Sequence, residues 1–283
     1  AHWLHQADCS ASKLLGRWGH SDYNNALKTG FDPETSTWPD WIGDVIDPRV
    51  LPEVSAPGRA IGQISKNIAG ALGLSHEVVI HAGTTDSIAA FLACAPIEEG
   101  MAVTSLGSTL AVKLLSAQRI DDPQIGLYSH RLGDLWLVGG ASNTGGAVLK
   151  SFFSDGELVQ LSAQIDPSTT QDLDFYPLLT PGERFPINDP DLEPRMEPRP
   201  ADDAAFLQAL FEGMANIEAI CYEEIVKKGG ARPLKIISAG GGADNSIWTR
   251  IRGRTIGLLP ECAKQTEAAV GVARLITQIS PKP

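Results

Sequence analysis

No run of this sequence stays apolar for the roughly 18 residues that a membrane span needs, and its opening residues do not read as a secretory leader. Cysteine is sparse: Cys9, Cys94, Cys221 and Cys262 lie far apart, with no CxxC spacing. That excludes a zinc framework or a disulfide scaffold and predicts reduced thiols. There is no run of Lys and Arg, and the net charge is -11, which argues against a nucleic-acid surface. GxxxxGK[ST] is absent, so a P-loop is excluded. The glycines of ISAGGGADN do not have the GxGxxG spacing, nor is an acid correctly placed about twenty residues on, so an NAD-dependent dehydrogenase is disfavoured. No internal repeat or low-complexity tract is visible. These absences predict a soluble protein of the cytoplasm, or of an organelle stroma or matrix, with neither membrane nor nucleic acid as partner.

What is present is an ordinary globular composition: 283 residues, 43% hydrophobic, with 28 Gly and 19 Pro. The first eighty residues are turn-rich. HWLHQADCSASKLLG reads as a helix that the chain enters abruptly and without a cap. DPRVLPEVSAPG reads as a proline-laced connection and SKNIAGALG as a helix stopped by glycine. Strand and helix then alternate. HEVVIHAG leads to SIAAFLACA, MAVTSLGSTLAVKLL makes two strands around a glycine turn, and LWLVGGAS precedes TGGAVLKSFF. After a loop-like stretch come a long amphipathic helix (AAFLQALFEGMANIEAICYEEIVKKGG), the strand and glycine turn of LKIISAGGGADN, and two more helices. The pattern predicts an α/β domain with a mixed sheet.

Three glycine-rich turns follow strands: HAGTTDS, TSLGSTL and ISAGGGADN. A bare backbone after a strand lets a ligand approach, and the N–H groups beyond it favour anions. One such turn is weak evidence, because tight turns need glycine anyway; three in one domain suggest a polyphosphate cleft. Asp86, in the first of them, has two readings: an N-cap for the helix that follows, or a base aimed into that cleft. Gly107, Ser108 and Thr109 read either as a phosphate turn or as a plain β-turn between strands. Asn245 and Trp248 are one helical turn apart and can face one pocket, although core packing is the commoner use of tryptophan. Thr144 and Gly145 border the cleft or simply start a helix. His81 and His130 lack metal-ligand partners, and the pairs Glu98–Glu99 and Glu223–Glu224 read as solvated faces.

In order, HAGTTDSIAAFLA, VTSLGSTLAVKLL, ISAGGGADNSIW and QTEAAVGVARL resemble the C-terminal half of FGGY-type carbohydrate kinases, nearest to the ribulose/xylulose-kinase-like branch, where SDYNNALKTGFD is also at home. The resemblance implies the actin/hexokinase-like ATPase fold (a ribonuclease H-like mixed sheet with flanking helices), preceded by the remnant of a first such domain. Residues 1–74 would be the tail of the sugar-side domain and 75–283 the nucleotide-binding domain. It further implies ATP-dependent phosphorylation of a pentulose such as ribulose or xylulose. Asp86 would be the general base, Gly107, Ser108 and Thr109 the phosphate contacts, and Gly240, Gly241 and Gly242 the adenosine turn, with Asn245 as a polar contact and Trp248 as a flat wall. Mg2+ would arrive with ATP and be held mostly by its phosphates and water, with no residue of this chain named as a ligand. The family's opening DxGT segment has no counterpart here. The chain therefore reads as a fragment of a longer kinase or the product of a truncated gene, its unfinished start favouring the fragment, with an orphaned face open to self-association; the alternative function is a non-catalytic nucleotide-binding module or an inactive fragment.

Overall fold

The structure, a computed structural model, describes residues 1–278. Its backbone contacts gather into two compact units. One comprises Ala1–Ile97, His130–Asp134 and, of the described residues, 267–278; the other comprises Glu98–Ser129 and Leu135–Thr266.

In the first unit the chain runs extended to His5 before α1 (Gln6–Leu15) begins. The His5 N–H donates to Asp8 Oδ2 at 2.9 Å, and Gly16 closes the helix at φ 70°. The abrupt, uncapped entry expected from the sequence is thus replaced by a capped one. β1 (His20–Asp22) pairs in parallel with β2 (Glu53–Ser55), and α2 (Tyr23–Ala26) follows β1 directly. Tyr23, Ala26 and Phe31 form a small core there, with Trp38 meeting Phe31 edge-on at 5.2 Å. β3 (Ala60–Gln63) pairs antiparallel with β4 (Val79–His81) across α3 (Lys66–Leu72), which Ser65 and Gly73 cap. α4 (Asp86–Cys94) comes next.

The second unit is built on one mixed sheet. The strands of that sheet are β5 (Met101–Leu106), β6 (Leu110–Ser116), β7 (Tyr128–Leu132, of which Tyr128 and Ser129 fall in this unit), β8 (Leu135–Ser142), β9 (Lys235–Ala239) and β10 (Glu261–Cys262), in the order β10-β9-β5-β6-β8-β7. β10, β9 and β5 are parallel, while β6 runs antiparallel to both β5 and β8. The flanking helices are α5 (Gly146–Phe152), α6 (Asp155–Ser162), α7 (Asp203–Lys227) and α8 (Ser246–Ile256). α7, expected to be amphipathic, is a core helix. Most of its 25 residues are buried, polar Gln208, Glu212 and Glu218 among them. Glu218 is satisfied by Arg252 of α8 through two bonds (2.5 and 2.7 Å), and both side chains are fully buried. Thr104 of β5 donates to the same carboxylate and also bonds the Tyr222 hydroxyl, while Arg252 donates to Ser238 of β9. Burial works against the Arg252 charge, but the adjacent carboxylate outweighs it and holds the guanidinium pKa above its usual value.

The last helix, α9 (Ala268–Gln278), belongs to the first unit. A division at residue 74 would group α4 and α9 with the sheet; the backbone contacts group them with the first unit instead. The physical reason is their close crossing. A Cβ on Gly271 would lie 1.8 Å from the Ala89 carbonyl oxygen, so only glycine fits, and Arg274 donates to the carbonyls of Leu92 and Ala93. Residues 279–283 of the expected second domain lie outside the described residues.

Candidate active site

The glycine turn after β9 opens onto a cavity of about 690 Å3, a size that suits a small-molecule ligand. The three glycines do different things. Gly240 sits at φ 88°, where a Cβ would meet the Leu106 carbonyl oxygen at 2.7 Å, so it fixes how closely this turn approaches the end of β5. Gly242 makes room for the Trp248 ring, 2.5 Å from where its Cβ would be. Gly241 has nothing within 4 Å of that position and faces open space. α8 then starts at the cavity. Asn245 is its N-cap, with Oδ1 accepting from the Trp248 N–H at 3.0 Å, while Nδ2 donates to Ser162 Oγ at 2.9 Å. That amide therefore has two protein partners and keeps one hydrogen and one lone pair. Trp248 is 2% exposed and stacks on Phe211, with centroids 5.1 Å apart and planes at 11°. It is core packing whose edge lines the cavity, not a free-standing wall.

The opposite side of the cavity comes from α5 and α6, through Leu149, Lys150, Asp155, Leu158 and Val159. The sequence reading does not include α6, yet its signal is there. Ser154 and Glu157 form a capping box, Ser154 Oγ accepting from the Glu157 N–H and the Glu157 carboxylate accepting from Ser154 N. Lys150 pairs with Asp155 at 3.1 Å across the α5–α6 join, both ends in solvent. At the surface beside the cavity, the exposed Cys262 thiol lies 3.6 Å from Asp244, another lining residue; desolvation and then that carboxylate hold its pKa up. The lining joins apolar side chains, Leu149, Leu158, Val159 and Phe211 among them, to a few polar ones. Among the described residues no group of three or more His, Cys, Asp or Glu could hold a metal ion.

The β5–β6 turn is interlocked with the start of α5. The N–H groups of Gly146 and Ala147 donate to the carbonyls of Gly107 and Ser108 at 2.9 and 3.1 Å, and Leu110 N donates to the Thr144 carbonyl at 2.7 Å. Gly145, the N-cap at φ 145°, lies against Thr109, whose Cα a Cβ would meet at 2.7 Å. Thr144 and Gly145 thus start a helix and hold the turn. Ser108 and Thr109 remain at the tip, exposed. Among the described residues neither their amides nor their hydroxyls are engaged.

Asp86 is exposed in the first unit, as the first residue of α4. It is not the N-cap: that position is Thr85, which makes no side-chain capping bond. The Asp86 carboxylate accepts from the Ser87 N–H at 2.6 Å and suits the helix dipole there. Behind it lies a buried polar cluster absent from the sequence reading. Asn24 Nδ2 donates to Thr84 Oγ1 at 3.1 Å, and Asp22 accepts from the Asn24 and Asn25 backbone and from Asn25 Nδ2. Burial pushes the Asp22 pKa up to about 6 despite those donors, and it raises that of Asp8 as well.

This sheet order, with a glycine turn at each of two strand ends and a nucleoside-sized cavity beside one, is the actin/hexokinase-like architecture of sugar kinases. Residues 102–276 match the FGGY family of carbohydrate kinases, C-terminal domain, and the chain belongs to that family. It is similar to the xylulose kinase of Staphylococcus epidermidis, 26% identical over 248 residues that cover 82% of this chain and 49% of that one. In fold it is similar to the crystal structure of a xylulose kinase from Brucella ovis, with TM-score 0.85, 21% identity, and coverage of 99% of this chain and 62% of that one. It is similar also to Plasmodium falciparum glycerol kinase with ADP, with TM-score 0.79, 17% identity, and coverage of 97% and 58%. The chain spans about half the length of the curated relatives it matches.

Proposed function

We propose that this chain carries the nucleotide site and the general base of an ATP-dependent kinase acting on a pentulose, xylulose or ribulose. The observation that carries the reading is the cavity at the Gly240–Gly242 turn, within the stretch matched to the FGGY C-terminal domain. There Gly241 leaves the backbone bare beside a ribose, Asn245 offers its remaining amide hydrogen and lone pair, and the Trp248 edge, Leu158 and Val159 cover the base. The Ser108 and Thr109 amides and hydroxyls, all unengaged, suit phosphate oxygens. Mg2+ held by phosphates and water would neutralise charge on the transferring group. Asp86 takes the proton of the attacking sugar hydroxyl. Its exposure at a helix start leaves one carboxylate oxygen free for that hydroxyl, the other holding Ser87 N. The xylulose kinase among its relatives supports the pentulose.

The test uses the natural polypeptide that carries this chain, in a coupled assay of ADP release with xylulose and ribulose offered separately. Sugar-dependent turnover is expected, and Asp86→Asn should lower it at least about a hundredfold with ATP affinity little changed. ATP binding without sugar-dependent turnover in the wild type would favour the non-catalytic nucleotide module. Near-normal turnover in Asp86→Asn would return that residue to a purely structural place in α4.

A further inference from the structure

We propose that Asn24 is a positioning residue for Asp86, acting through Thr84; this rests on the reading of Asp86 as the base. The segment Gly83–Thr85 joins β4 to α4 and sets where Asp86 projects. Before it the chain is pinned, with His81 Nδ1 bonded to the Gly58 carbonyl at 2.7 Å and Ala82 N donating to the Arg59 carbonyl at 2.8 Å. After it, Ile88 and Ala89 donate to the Thr85 carbonyl as the helix begins. Between those points the amides of Gly83, Thr84 and Thr85 make no backbone bond among the described residues, and the Thr85 hydroxyl, although buried, has no partner. The usual device for fixing a helix start, a side-chain cap, is missing here.

What holds the segment is the bond from Asn24 Nδ2 to Thr84 Oγ1, reaching across sixty positions of sequence. Asn24 is fit to bear on it because its side chain is enclosed and its backbone is fixed. It is 0% exposed, and its backbone N–H is held at 2.9 Å by Asp22 Oδ1. Asp22 is in turn locked by Asn25, whose N–H and side-chain amide both donate to it, and by the β1–β2 pairing. A rigid donor thus meets an otherwise loose segment two residues before the carboxylate. A general base works only when its oxygen stands within hydrogen-bond reach of the proton it removes, and small misplacements are costly.

The experiment compares Thr84→Val, which keeps the shape and loses the acceptor, with Thr84→Ser, which keeps the hydroxyl, in the natural polypeptide. Thr84→Val should lower kcat about tenfold while KM for ATP stays within about twofold. Its thermal midpoint should fall by a few degrees, the cost of a buried amide left without a partner, while the fold is kept at the assay temperature, and Thr84→Ser should restore both kcat and the midpoint. Asn24→Ala should give the same loss, and the double variant should lose no more than either single one, because both remove one contact. Wild-type kcat in Thr84→Val overturns the proposal. So does a loss of kcat that comes with a lost fold and is not rescued by serine, or losses that multiply in the double variant. If the wild type phosphorylates no sugar, the proposed function falls and takes this inference with it. If the wild type and Thr84→Val turn over alike, the inference alone falls.

Discussion

At the scale of single residues, the informative positions are those where a side chain is either impossible or already spent. Gly240 is the first kind. Its φ of 88° and the 2.7 Å approach to the Leu106 carbonyl mean that alanine must strain the backbone and push the turn off the sheet. Gly240→Ala should cost roughly 1–3 kcal/mol of stability by such strain and weaken ATP binding as the cavity wall shifts, whereas Gly241→Ala, with open space before it, should leave stability unchanged. Denaturant titration and calorimetry of the two variants check this. The glycine turns were legible in the sequence because φ > 0 and close approach demand glycine locally. The Trp248 role was not: its burial depends on Phe211, a partner 37 positions away in another helix, and spacing within one helix says nothing of that. Asp86 shows the same limit, since "acid before a helix" did not reveal that Thr85 takes the cap position.

At the scale of elements, the hairpin of β5 and β6, the strand β9 and the helices α5, α8 and α9 followed from periodicity and their glycine stops. α7 was legible as a helix but not as a buried one, because Glu218 looks like a solvent-facing residue until Arg252 is brought to it. That pair ties α7 to α8 and, through Thr104 and Ser238, both helices to β5 and β9. Removing one partner leaves a buried charge alone. Arg252→Met is therefore expected to cost about 3–5 kcal/mol, and adding Glu218→Leu to it should recover much of that loss. Urea unfolding of the two variants measures the difference. A double variant no more stable than the single would show that the pair is not coupled.

At the scale of the whole molecule, acid acts on the first unit through its buried carboxylates. Asp22 in the first unit has its pKa raised by burial from 3.8 to about 6. Between those values the folded state binds more protons than the unfolded one, so this group's contribution to stability falls as pH rises, by up to about 1.4 kcal/mol per pH unit. Asp22→Asn removes that term. The stability of the wild type minus that of the variant should therefore decline from pH 4 to pH 6 and level off above, which parallel unfolding curves would read; a flat difference would refute the shift. The burial of Asp22 could not be read from SDYNN, because it comes with the pairing of β1 to β2, which is distant in sequence.

The interlocked corner at Gly107–Thr109 and Gly145–Ala147 separates scaffold from payload. Its joints are chiefly backbone amides on carbonyls and close approaches that leave no room for a Cβ. Ser108 and Thr109 ride on that frame without supporting it. Their side chains can be exchanged for others, changing the chemistry offered at the tip, with little disturbance of the sheet beneath. That is the condition under which one architecture can be retuned, residue by residue, for a different phosphate donor.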